Sequence, residues 1–107
     1  MAIVNVGNAG VKVPAQTLTA NGVATGTAAK LFTTEPSNKP AYYLLIQASA
    51  ANTATIYLGG IGTTVNNGLA LAPGGSFEFN LAITPVDITS IYAISGSAGQ
   101  TVRALGF

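Results

Sequence analysis

The chain has 107 residues, four basic and three acidic side chains, no cysteine and no histidine. That length holds one domain with its own core and is short for two, while the missing residue types exclude disulfides and thiolate metal sites and remove the commonest general base. Charged residues make up 7%, against about 25% in an ordinary soluble domain, so little like-charge repulsion keeps copies apart and much of the surface is expected to be covered in the working state.

Residues 1–10 carry Ile3, Val4 and Val6, then Gly7, Asn8 and Gly10. This reads as a short extended segment and a flexible joint, either an edge strand or an arm that reaches a neighbour. The segment has no basic leader and no apolar run of signal-peptide length, and no run anywhere approaches the ~20 residues of a membrane helix. The expectation is a protein made in the cytoplasm, with no membrane partner.

Residues 11–107 are expected to form one β domain. Val11 and Val13 flank Lys12 until Pro14 removes a backbone donor, which suits an edge strand. Residues 20–29 are small and glycine-bearing; Asn21 and Gly22 suit a primed hairpin turn, and the stretch reads as a mobile loop. Leu31 and Phe32 follow, and Pro36 and Pro40 halt regular structure. Tyr42, Leu44, Ile46 and Ala48 then share one face and Tyr43 and Leu45 the other, so both faces are partly apolar, as in a central strand.

Ala50, Ala51 and Asn52 suit a turn into a hairpin partner in which Ala54, Ile56 and Leu58 alternate with Thr53, Thr55 and Tyr57. Gly59, Gly60 and Gly62 read as turn glycines that end it. Asn66, Asn67 and Gly68 mark the next turn, Leu69 and Leu71 a brief apolar pair, and Pro73 another turn. Phe77, Phe79, Leu81 and Ile83 line one face against Ser76, Glu78 and Asn80, so that Phe77→Ala is expected to cost about 3–5 kcal/mol. Pro85 closes that strand, residues 86–89 suit a single turn or a crossover, and residues 91–95 and 100–105 read as a last hairpin. Seven to eight short strands in so small a chain predict an all-β, antiparallel, jelly-roll-like β-sandwich, because two sheets must share one core.

No catalytic constellation is present. Glu35, Glu78 and Asp87 are far apart in sequence, whereas paired-carboxylate chemistry needs two acids in one cleft. The serines lack a nucleophile-elbow setting, the glycines precede no phosphate-binding Lys-Ser/Thr pair, and the Asp-rich spacing of a calcium loop is missing. Neither a metal nor a cofactor is expected. Lys12, Lys30, Lys39 and Arg103 are scattered, so direct nucleic-acid binding is not expected either. Among the four tyrosines, strand parity makes Tyr57 the best exposed and the residue to stack on a sugar ring if the chain contacts glycans.

The succession LLIQASAANTATIYLGG, NNGLALAPGGSFEF and ITSIYAISGSAGQTVRAL resembles the small virion proteins of tailed bacteriophages, above all the capsid decoration, or cement, proteins. The matching parts are the strand ending in Ile56, Tyr57, Leu58 and Gly59, the Asn67-Gly68-Leu69 turn leading to Pro73 and Gly74, and the closing Ile91, Tyr92, Ala93 strand with Val102 and Arg103. The resemblance covers residues 42–105. It implies a non-enzymatic protein on the outside of the capsid, bound to the major capsid protein at many equivalent positions, often as a homotrimer, and reinforcing contacts between capsid subunits. Ile3, Val4 and Val6 are then the expected intersubunit or capsid contact. Similar β modules occur in phage fibres, where the function would be receptor or glycan binding with Tyr57 as the contact.

Overall fold

The computed structural model of the protein describes residues 16–33, 43–80 and 87–106. These residues form eight strands: β1 (Gln16–Leu18), β2 (Ala29–Lys30), β3 (Tyr43–Ala48), β4 (Ile56–Gly59), β5 (Leu69–Leu71), β6 (Ser76–Asn80), β7 (Tyr92–Ser95) and β8 (Val102–Gly106). They form two four-stranded sheets, in the orders β1-β8-β3-β6 and β2-β7-β4-β5. All strand pairs are antiparallel. The only helical turn among the described residues is the 3-10 turn Ile88–Ser90, capped by Asp87, whose carboxylate accepts from the Thr89 N–H and hydroxyl. The protein is therefore all-β, built as a β-sandwich.

The pairings have a simple order. β1 pairs with β8, β2 with β7, β3 with β6 and β4 with β5. A long hairpin with its tip between β4 and β5, folded across itself, produces that set, and the added pairs β3·β8 and β4·β7 knit each half into a sheet. Because the chain changes sheet at every step except β4 to β5, most connections cross the core instead of turning back beside it.

One apolar cluster joins the sheets: Leu18, Leu44, Ile46, Ala48 and Ala104 from the first, Ile56, Leu58, Leu71 and Ala93 from the second, closed by Val23, Leu31, Phe32, Ile88 and Ile91. β3 is central, paired on both sides, and Leu44 and Ile46 are fully buried. Burying such a side chain contributes about 1.5–3 kcal/mol each before entropy is subtracted. Tyr43 and Leu45, on the opposite face of β3, are half-buried.

Several local expectations change. The segments on either side of residues 50–52 are not a hairpin, because β3 and β4 lie in different sheets; the same holds for β7 and β8. These two crossings, residues 49–55 and 96–101, are instead sewn to each other. The Asn52 amide copies a strand pairing against Thr101, donating to its carbonyl and accepting from its N–H, each at 2.9 Å. The buried Gln100 carboxamide accepts from the Thr53 and Ala54 N–H groups at 2.8 and 3.0 Å and donates to the Thr53 hydroxyl and the Ala98 carbonyl. All four of its hydrogen-bonding positions are thus filled, which is how a polar side chain can lie in this interior. The bend held by Gln100 also shortens the predicted 53–58 strand to Ile56–Gly59.

Asn21-Gly22 makes no hairpin turn either, since β1 and β2 belong to different sheets. The stretch is pinned, not mobile: Asn21 N–H donates to Leu31, Val23 N–H to Gln100, and the Ala24 carbonyl accepts from Ser95 N–H, while Val23 enters the core. Gly59 lies within a strand, not a turn; a Cβ there would stand 2.2 Å from the Thr63 hydroxyl oxygen, so close packing of the following loop is what requires glycine. Phe77 and Phe79 share the inward face of β6 as expected but remain half-buried. Leu81 and Ile83, with Tyr42, Val11, Val13, Pro14 and Glu35, lie outside the described residues.

Candidate contact surface

Among the described residues, β5 and β6 are the last strands on one side of their sheets and line a common groove. Here the core reaches the surface. An apolar groove of about 330 Å³ is lined by Leu58, Leu69, Phe77, Phe79, Ser90 and Ile91, together with Gly59 and Gly60. Phe77 and Phe79 pack edge to face on its floor, ring centres 4.9 Å apart at 86°, a favoured aromatic geometry.

Beside the groove the β4–β5 loop holds aliphatic side chains out into solvent. Two tight turns dictate this. In the first, Thr63 N–H donates to the Gly60 carbonyl at 3.2 Å and Gly62 adopts φ +84°, the pattern of a type II turn with Ile61 at its outer corner. The buried Thr63 hydroxyl adds a 2.6 Å bond to the same carbonyl. In the second, Asn67 and Gly68 N–H groups donate to the Thr64 carbonyl, the Asn67 side chain accepts from Thr64 N–H at 2.8 Å, and Val65 takes the corner. Ile61 is 83% exposed, Val65 41% and Leu69 47%. A β-turn corner ordinarily takes proline or a polar residue; here bonded turns hold aliphatics at the corners, and Ile61 leaves most of its apolar surface in water.

The second sheet carries Tyr57 and Tyr92. Tyr57 is half-buried and points outward from β4, opposite Ile94 and Ala70, and the half-buried Tyr92 on β7 lies opposite Gly59 on the same outer face. Ile94, on that face too, is buried without belonging to the central cluster. The structure therefore joins Tyr92 to Tyr57, a pairing that sequence parity left unstated. Ile3, Val4 and Val6 lie outside the described residues.

Glu78 is exposed on β6 and accepts from the Tyr43 hydroxyl at 2.5 Å. That hydrogen bond, with smaller contributions from desolvation and from the Glu78 charge, raises the Tyr43 pKa above its ordinary 10.0. Asp87 is occupied in capping. Among the described residues no three His, Cys, Asp or Glu side chains gather to hold a metal ion, and no helix is long and apolar enough to cross a membrane. What the described residues offer is an apolar groove with exposed aliphatic side chains beside it. No family model, curated protein or solved structure matches the chain.

Proposed function

We propose that this protein is a non-enzymatic contact module that works in many copies on a larger shell, in the manner of a phage capsid decoration protein bound to the major capsid protein. The observation that carries the reading is the outward hold on Ile61 and Val65 beside an apolar groove. In a chain with only seven charged side chains, four basic and three acidic, such a patch invites association. The order of strand pairing also supports a jelly roll, an architecture used by viral capsid and lectin domains. On this reading the β5–β6 side meets a neighbouring copy, the copies close into a ring, with a trimer as the expected size, and the ring attaches at repeated positions on the shell. Each copy need bind only moderately, because linked contacts raise the effective concentration of the others.

Quantifying the chain in purified particles tests this. Hundreds of copies on the shell fit decoration; a few copies confined to a tail fit the fibre reading; absence from particles defeats both. The fibre or glycan reading is favoured by one observation, the shared outer face of Tyr57 and Tyr92. It requires glycan binding by the isolated chain that Tyr57→Ala abolishes.

A further inference from the structure

We infer that the apolar amino-terminal segment, residues 1–10, of one copy occupies the β5–β6 groove of the next, adding a strand to the side of β6 that no described strand pairs with. This rests on the assembly reading above and names the parts that meet. β6 pairs with β3 on one side and with no strand among the described residues on the other, so its outer N–H and C=O groups form a template for an incoming strand. Its inward side chains, Phe77 and Phe79, already floor the groove. An added strand directs alternate residues toward that floor. The segment Ile3-Val4-Asn5-Val6 supplies them: Val4 and Val6 on one face, with Asn5 on the other.

The position of the segment's root points to a neighbour. Gln16 begins β1, at the opposite edge of the sheet from β6, and one row across that sheet reads Gln16, Gly106, Leu44, Phe79. The root therefore sits at the same end as the groove, three strand spacings or about 14 Å away. The fifteen residues before Gln16 span up to about 50 Å when extended, so length permits either a neighbour's groove or the chain's own. Two features favour the neighbour. Donor and acceptor lie on opposite edges, as a head-to-tail ring requires. A short apolar segment fills the groove but leaves Ile61 and Val65 uncovered, whereas the body of a second copy, arriving with its segment, covers them as well.

The absence of native cysteine allows a direct test. Val4→Cys or Val6→Cys copies carrying a mass tag are mixed with untagged Leu69→Cys copies under mild oxidation. A disulfide needs Cα atoms about 4.4–6.8 Å apart. The expected product is a cross-linked pair with one chain of each kind, reduced at least tenfold when Asn5→Pro blocks strand addition. A disulfide formed only within a doubly substituted chain overturns the proposal in favour of self-closure. No mixed cross-link from an assembly of unchanged mass overturns it while leaving the assembly reading intact. A native chain that stays single at working concentration overturns both.

Discussion

Tyr43 and Glu78 make a pH-sensitive contact on the described surface. Because the Tyr43 pKa is raised in the fold, the sign follows directly: the contact's contribution is fully present below the ordinary tyrosine value of about 10 and is lost as pH rises through the higher folded value. In an ultraviolet titration, Glu78→Gln should move one tyrosine's ionisation to lower pH; an unchanged curve would show that the carboxylate does not act on it. Gln100 is the more important polar residue for stability. Gln100→Leu keeps bulk but strips hydrogen-bond partners from Thr53 and Ala54, and should cost about 1–3 kcal/mol, read as a lowered melting temperature. Neither role was visible in the sequence. The pairs Gln100–Thr53 and Asn52–Thr101 are separated by nearly half the chain, and an amide that fixes a distant loop looks, in the sequence, like any polar residue beside a turn.

The strands themselves were largely legible, because side-chain alternation is local: Leu44, Ile46 and Ala48 fall inward as their spacing demands, and so do Ile56 and Leu58. Partnership was not legible. A short polar stretch such as residues 50–52 serves equally for a hairpin or for a step between sheets, and only the shared core decides which. β6 shows the consequence for energetics. Phe77 is half-buried within one copy, so in a single-copy background such as Ile61→Asp with Val65→Asp, Phe77→Ala should cost about 2 kcal/mol, below the range for a fully enclosed aromatic, while Ile46→Ala in the middle of β3 should cost about 2–5 kcal/mol. Equal losses in chemical denaturation of that single-copy chain would mean that the β6 side is closed within one copy. The β4–β5 loop admits a sharper test. Gly59→Ala drives a Cβ against Thr63 and should lose about 1–3 kcal/mol; adding Thr63→Ala should return part of that loss, a coupling that a double-mutant cycle detects.

Among the described residues, the sandwich is closed by its crossings at one end and no strand lies beyond β5 and β6, and its exposed aliphatics gather on that side. Composition raised the expectation of a covered surface through the shortage of charge; it could not say where apolar side chains would stand out, because Ile61 and Val65 become outward-facing only through the turns at Gly62 and Asn67. The central claim is that this side is where copies meet. Light scattering on the purified chain measures it most directly, comparing the native protein with a variant carrying Ile61→Asp and Val65→Asp. Both positions are exposed, so the variant should keep its melting temperature to within the small effect of ordinary surface changes, about 0.5 kcal/mol. The account predicts a native mass that is a multiple of 10.7 kDa and a single-copy mass for the variant. A native chain of single-copy mass, or a variant that assembles as the native chain does, would contradict it.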